Sequence, residues 1–372
     1  LLWVAPAEAQ AAVEYGVARL PLEAESYRTS LEARLGRRRE VMRDIMLLAQ
    51  QDPRRIVFPE GEHDRIIRAA ASARTEGIVK PVLLGRPDRI EARAAELHID
   101  LTGIRVEDPQ ADPERCERYA QRFYERRQRK GITLAEARER LQEPDYYGYM
   151  MVADGDADGA IAGIDSHYPE TIRPALEAVG VDPGVEHVAG LYMMVLQNDL
   201  MFFADTTVNI DPDAETLAEI AQLSADFVKR LGLEPRVAML SFSNFGSTRH
   251  PQAEKVARAT ALVKAARPDL MVDGEMQADT AVVEEILLKR YSFSSLDQAA
   301  NVLIFPDLNS ANIAYKLMGR LGGAEAIGPI LLGMSQPVHV LQRGSEAADV
   351  VNLTALAVVD AQRRGRGSAG NR

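Results

Sequence analysis

Residues 54–84 read RRIVFPEGEHDRIIRAAASARTEGIVKPVLL. Arg54–Pro59 is a short β-branched and aromatic run, the text that follows is helical through Gly77, and Pro81–Leu84 is a second run of strand formers. Strand, helix and strand in this order form the unit of a parallel sheet, because parallel neighbours need a crossover that carries the chain back. Outward from it the pattern repeats. Helix is predicted to about Leu97, a weak third strand at Ile104–Val106, and helix over 113–141 with a break at Lys130-Gly131. Gly159–Gly163 is a thin strand candidate. Val188–Leu196, Met201–Ala204, Val237–Phe242, Leu270–Val272, Val302–Pro306 and Ile330–Val340 follow, with helical stretches between most of them. Strands alternating with helices argue an α/β fold with largely parallel sheets.

The chain has 372 residues, 46% hydrophobic and 27% charged, with a formal net charge of −11. That is enough for two or three domains, and it excludes a disordered or collagen-like chain. No apolar run reaches the ~20 residues of a membrane span, and the acidic balance speaks against nucleic acid as a partner. A single cysteine, Cys116, excludes an internal disulfide framework and a thiolate zinc site, and fits a reducing cytoplasm. The six histidines show no metal-ligand spacing, so no metal is assigned. Leu1-Leu2-Trp3 is neither a methionine start nor a secretory signal, and a piece of a longer polypeptide is expected. Residues 1–40, rich in Ala and Glu, read as a connector or as a helical decoration. Residues 363–372 (RRGRGSAGNR) read as a disordered tail. The tail contains G-x-G-x-x-G at Gly365, Gly367 and Gly370, but no strand precedes it and too little chain follows for a helix to meet a pyrophosphate.

Four segments place polar residues beyond strand ends, where parallel sheets bind ligands. Ser241–Pro251 (SFSNFGSTRHP), with Ser241 and Ser243, precedes a helix and suits an anion or a CoA-type group, or is a plain capping loop. Asp273–Asp279 (DGEMQAD) gathers three carboxylates, for metal binding or proton transfer, or as a solvated cap and turn. In Phe305–Asn312 (FPDLNSAN), Asn309 and Ser310 are positioned to cap the next helix. In Leu341–Asp349 (LQRGSEAAD), Arg343 and Asp349 make either an anion clamp with an adjacent base or a favourable first helical turn. Two further arginines stand apart. Arg127 ends a stripe formed with Cys116, Ala120 and Phe123, and Arg173 precedes Pro174, as at a helix start.

Taken together, VFPEGEHDR (57–65), ERRQRKGIT (125–133), DADGAIAG (156–163), TIRPAL (171–176), SFSNFGS (241–247), PDLMVDGEMQAD (268–279), NVLIFPDLNSANIAYKLM (301–318) and GPILLGMSQPVHVL (328–341) resemble the phosphate acetyltransferase/butyryltransferase family, collinearly over about residues 42–362. The resemblance implies two α/β domains with mainly parallel sheets, of the isocitrate/isopropylmalate dehydrogenase kind, with CoA in the cleft between them and usually a homodimer. It implies acetyl transfer between CoA and phosphate, an aspartate as base, arginines on the phosphate, and an assisting serine. By position Arg127, Arg173, Arg343 and Asp349 match the arginines and the aspartate. The serine does not match. Where the family reads Leu-Ser-Arg-Gly, this chain reads Leu341-Gln342-Arg343-Gly344, followed by Ser345. An amide replaces a hydroxyl, and loss of one transition-state donor costs on the order of 10²–10³ in rate.

Residues 4–31 (VAPAEAQAAVEYGVARLPLEAESYRTSL), the LQRG and VVNLTALAVVDAQ (350–362) further resemble the large bacterial NADP-dependent malic enzymes, which carry such a domain at their C-terminus. This likeness implies a regulatory domain that binds acetyl-CoA, with a malic enzyme catalytic domain upstream in cis that holds the NADP and divalent metal sites. The expected division is a connector over 1–40, domain I over 41–184 plus 330–362, domain II over 185–329, and the tail. The expected ligand contacts are Arg127, Arg173, Gln342, Arg343, Ser345, Ser241, Ser243 and Asn309. Asp349 and Arg343 are the catalytic pair if transfer survives.

Overall fold

The structure, a computed structural model, describes residues 4–16, 18, 27, 37–166, 168–196 and 199–369. It opens with helices α1 (Val4–Glu14) and α2 (Arg37–Gln51). Then come β1 (Arg54–Phe58), α3 (Asp64–Thr75), β2 (Val79–Leu84), α4 (Pro87–Glu96) and β3 (Arg105–Glu107). Helices α5 (Pro113–Arg127), α6 (Leu134–Arg140) and α7 (Pro144–Asp154) precede β4 (Gly159–Ala162) and α8 (Tyr168–Ala178). The middle of the chain holds β5 (Ala189–Val195), β6 (Leu200–Ala204), α9 (Ala214–Arg230), β7 (Arg236–Leu240), α10 (Pro251–Ala266) and β8 (Met271–Met276). It continues with α11 (Ala278–Val282), α12 (Glu284–Arg290), β9 (Val302–Ile304), α13 (Leu308–Arg320) and β10 (Glu325–Leu332). The last elements are β11 (Val338–Val340) and α14 (Ala347–Ala369).

The RRIVF run forms the middle strand of a five-stranded sheet of order β11-β4-β1-β2-β3, parallel throughout. Its alternation serves two cores. Ile56 and Phe58 face one apolar cluster and Val57 faces another, all fully buried. The intervening helix α3 buries Ile66, Ile67, Ala69, Ala70 and Ala73 and is capped at His63, whose ring nitrogen accepts the Arg65 N–H. A second sheet has the order β10-β5-β6-β9-β7-β8. Its last four strands are parallel, and β5 and β10 extend it by antiparallel pairs. The α/β architecture with two mainly parallel sheets is therefore the one the sequence predicts.

The chain passes between the two sheets twice, after α8 and after β10. The two crossings touch through an antiparallel bridge, Val181 to Met334. The helix α14 packs on α3 and β1 beside the first sheet, and it also meets β10 of the second.

Several elements differ from expectation. Ile330–Val340 is not one strand. The turn around Gly333 (φ +86°) and Pro337 divides it, so that β10 belongs to the second sheet and β11 to the first. β10 thereby spans the boundary expected at 329/330. β8 runs on through Asp273–Met276, which places Asp273 and Glu275 inside a strand. Over 363–369 the tail is helix, continuous with α14. Arg364 is held by Asp182 and Asp360, at 3.1 Å each, and by the carbonyl of Met334 at 2.7 Å. Residues 370–372 lie outside the described residues, and so does most of the connector over 1–40 apart from α1 and the start of α2. No described helix is long and apolar enough to cross a membrane.

Candidate functional site

The strand β11 ends at Val340, and the Leu341 N–H is bound to the Ala162 carbonyl at 2.7 Å. The loop then turns through Gly344 (φ +90°) into α14. Ser345 folds back, its hydroxyl donating to the Gln342 carbonyl at 2.8 Å, and Arg65 holds the Ser345 carbonyl at 3.1 Å. Asp349 lies in the first turn of α14, where its carboxylate accepts the Glu346 N–H at 2.8 Å. This bond ties the end of the loop to the first turn of α14, where a carboxylate is also favoured by the helix dipole.

Gln342, Arg343, Gly344, Ser345 and Asp349 line a cavity of about 520 Å³ between two units, the first built on the five-stranded sheet and the second on the six-stranded sheet. The opposite wall comes from the second unit: Tyr192 on β5, Tyr315, Lys316 and Arg320 on α13, and Ala324, Glu325, Ala326 and Gly328. Tyr192 and Tyr315 are stacked, ring centroids 4.3 Å apart and 14° from parallel. The Gln342 amide crosses the cavity and donates to the Tyr315 hydroxyl at 2.8 Å. Three cations (Lys316, Arg320 and Arg343) share this space with the carboxylates of Glu325 and Asp349. Side chains of these types can pair with an anion and offer a carboxylate for proton transfer.

Arg127 and Arg173 are not in this cavity. They line a second one of about 780 Å³, also between the units, with Arg126, Lys130, Glu177 and Thr207. Arg173 is in the middle of α8, not at a helix start, because α8 begins at Tyr168 and runs through Pro174. Its guanidinium bonds Glu177 at 3.1 Å, one turn on, and Arg127 reaches the same carboxylate at 3.6 Å. Arg140 and the Tyr146 hydroxyl complete the group. Burial alone would push the Glu177 carboxyl up. The hydrogen bonds from Tyr146 and Arg173 and the charges of Arg140 and Arg127 outweigh it and hold it below the usual range.

The serine loop already encloses an anion of its own. Ser243 is fully buried and donates to Glu275 at 3.0 Å, while the Gly246 N–H donates to the same oxygen at 2.6 Å. Ser241 accepts the Ser243 N–H at 3.3 Å, and α10 is capped by His250 instead of a serine. Asn309 is exposed in the first turn of α13, whose cap is Asp307. The expected contacts therefore fall in four separate places: Gln342, Arg343, Ser345 and Asp349 in one cavity, Arg127 and Arg173 in another, Ser241 and Ser243 at Glu275, and Asn309 on the surface of α13.

Tyr192, Tyr315, Lys316, Arg320 and Glu177 were not read as site residues. The buried spacing of Ala311 and Tyr315 marks α13 as packed, but only the pairing of β5 with β10 brings Tyr192 opposite. Glu60 is also new. It follows β1, and its carboxylate accepts the N–H groups of Gly163 at 2.7 Å and Ile164 at 3.1 Å, tying the ends of β1 and β4. Burial, and then the charge of Asp145, push its carboxyl up to about 7. Burial, and then Glu143, push Asp145 up to about 6. Among the described residues no group of three or more His, Cys, Asp or Glu is placed to hold a metal ion.

Comparison with known proteins decides the family. The model of the phosphate acetyl/butaryl transferase family matches residues 40–358. The chain belongs to that family. It is 42% identical to the phosphate acetyltransferase of Acetivibrio thermocellus over 328 residues, which is 86% of this chain and 98% of that protein. To the NADP-dependent malic enzyme of Escherichia coli it is 39% identical over 366 residues, 96% of this chain but only 48% of that longer protein. A phosphotransacetylase from Streptococcus pyogenes superposes with a TM-score of 0.82 at 36% identity, covering 87% of this chain and 98% of that structure. The family's match spans both sheets and both cavities, while the malic enzyme alignment takes in more of the chain than that to the free-standing transferase.

Proposed function

We propose that this chain is a CoA-thioester-binding domain of the phosphate acetyltransferase family that serves as an acetyl-CoA sensor, in cis to a malic enzyme catalytic domain. The observation that carries the reading is the state of Gln342. Where the family resemblance places a serine hydroxyl, the chain has an amide, and that amide is bound to Tyr315. The cations Lys316, Arg320 and Arg343 line the wall beside it. Binding survives this replacement better than transfer does, because the cations act on the ligand's charge whatever the fate of the hydroxyl. The alignment to a malic enzyme over 96% of the chain supports the arrangement in cis. Calorimetry with acetyl-CoA tests it. Saturable binding, weakened at least tenfold by Arg343→Ala, is expected, and absence of binding ends the sensor reading.

A second reading is an active phosphate acetyltransferase, favoured by Arg343 and Asp349 lining one cavity and by 42% identity to a protein of that name. Release of acetyl-CoA from acetyl phosphate and CoA, abolished in Asp349→Asn, would establish it. The domain is further proposed to form homodimers. The helix α13 and the residue after it expose Ile313, Leu317 and Leu321, spaced four residues apart on one face. A second copy of this face is the proposed cover. Light scattering of Leu317→Glu should then give a monomer.

A further inference from the structure

Tyr315 has so far served only as the wall that Gln342 touches, yet its hydroxyl has chemistry left over. A phenol oxygen accepts hydrogen bonds and carries one proton to give. Gln342 Nε2 is the donor in the 2.8 Å contact, so Tyr315 accepts there and its own O–H remains to be directed elsewhere. The ring cannot turn away. It is buried, stacked on Tyr192 at 4.3 Å, and carried on α13 with Ala311 beneath it. The Lys316 ammonium lies 5.8 Å from the ring centroid, within reach of a cation–π contact that helps to fix the ring.

We propose that Tyr315 is the hydrogen-bond donor to the acyl carbonyl oxygen of the bound thioester, with Gln342 the positioning residue that aims its hydroxyl. This inference rests on the thioester-binding reading above. The assignment to the carbonyl follows from the composition of the cavity. Phosphate oxygens have Lys316, Arg320 and Arg343 to choose from, and a charged donor beats a neutral one for them. A thioester carbonyl is neutral and bears a methyl group. The corner made by two tyrosine rings, Ala326 and Gly328 offers it the neutral Tyr315 hydroxyl and an apolar surface. Gln342 thereby does not empty the cavity of hydroxyl donors. It replaces a short hydroxyl on its own loop with a longer-reaching one from the facing unit. A donor to the carbonyl also distinguishes acetyl-CoA from CoA, which has no carbonyl to receive it.

The test uses the full chain and two ligands, acetyl-CoA and CoA, titrated calorimetrically into wild type, Tyr315→Phe, Gln342→Ala and the double variant. Tyr315→Phe keeps the stacked ring, and a thermal melt checks that it folds. It should weaken acetyl-CoA about 2- to 12-fold, the range of one neutral hydrogen bond, and leave CoA unchanged. Gln342→Ala should weaken acetyl-CoA in the wild-type background and add nothing to Tyr315→Phe. Equal weakening of both ligands by Tyr315→Phe, or of neither, overturns the proposal. So does a Gln342→Ala penalty that persists undiminished without the hydroxyl, since the amide would then be touching the ligand itself. Wild-type protein that binds neither ligand overturns the thioester reading and this inference with it, which separates the two failures.

Discussion

Glu60 shows how one side chain joins fold and titration. Its carboxylate accepts two backbone N–H groups at the end of β4, which favours the ionised form. Burial and the nearby Asp145 outweigh that and carry the carboxyl up to about 7. Because the folded chain holds this proton more tightly than the unfolded chain does, the stabilisation is complete below the usual carboxylate pKa and is lost as pH rises through about 7. Glu60→Gln keeps an oxygen for Gly163 and Ile164 and removes the titration. The variant should match wild type at pH 4 and exceed it at pH 8 by up to about 3 kcal/mol, the free-energy equivalent of such a shift. Urea unfolding at the two pH values measures it, and a gap that does not change with pH refutes it. Nothing in PEGEHD signals this. Glu60 reads as a polar residue in a turn until β4 is known to lie beside β1, whereas Arg343 and Asp349 share one loop and helix start, so their proximity is legible from spacing alone.

Among the elements, those with a local cause were legible. The RRIVF run is a strand because β-branched and aromatic side chains fill both faces of a buried sheet. The break between β10 and β11 was not, since two apolar runs separated by Gly333–Pro337 look like one until each pairs with a different sheet. The role of Ser243 was hidden for a similar reason, since its partner Glu275 lies on β8, the strand paired with β7. The turn after β1 carries a constraint that can be tested. Gly61 donates to the Leu84 carbonyl at 3.0 Å, and a Cβ placed on it would lie 2.5 Å from that same oxygen and 2.7 Å from the Leu84 nitrogen. Both are backbone atoms of β2 or its hydrogen-bonding groups, so relief requires the strand itself to move. Gly61→Ala should cost about 2–3 kcal/mol, in the range of overpacked cores. A urea midpoint unchanged from wild type would show that the turn gives way instead.

At the scale of the molecule, α14 is what makes two sheets one structure. At its start Asn352 bonds Glu325 of β10 at 3.2 Å. Near its end Asp360, 3% exposed, accepts from Arg230 of α9 at 2.6 Å and from Arg364 at 3.1 Å. Arg364 in turn holds Asp182 and the Met334 carbonyl, one on each of the two crossings between the sheets. One carboxylate therefore connects the second sheet's longest helix, the crossings and the last helix of the first unit. The cavity that Gln342 and Tyr315 bridge also lies between the two units, so its width depends on how they are held. Removing Asp360 leaves Arg230 and Arg364 without their buried counter-charge, which costs about 3–5 kcal/mol when both partners are fully enclosed and less here, where the arginines are partly exposed. Asp360→Ala should lower stability by about 2–3 kcal/mol. Unfolding should nevertheless stay a single urea transition, because one buried apolar cluster takes in Ile56 and Phe58 of the first sheet, Leu191 and Phe202 of the second and Leu353 of α14. Intrinsic fluorescence and circular dichroism followed together give the answer. Curves that separate into two transitions would mean that the Asp360 network, and not this shared apolar cluster, couples the two sheets.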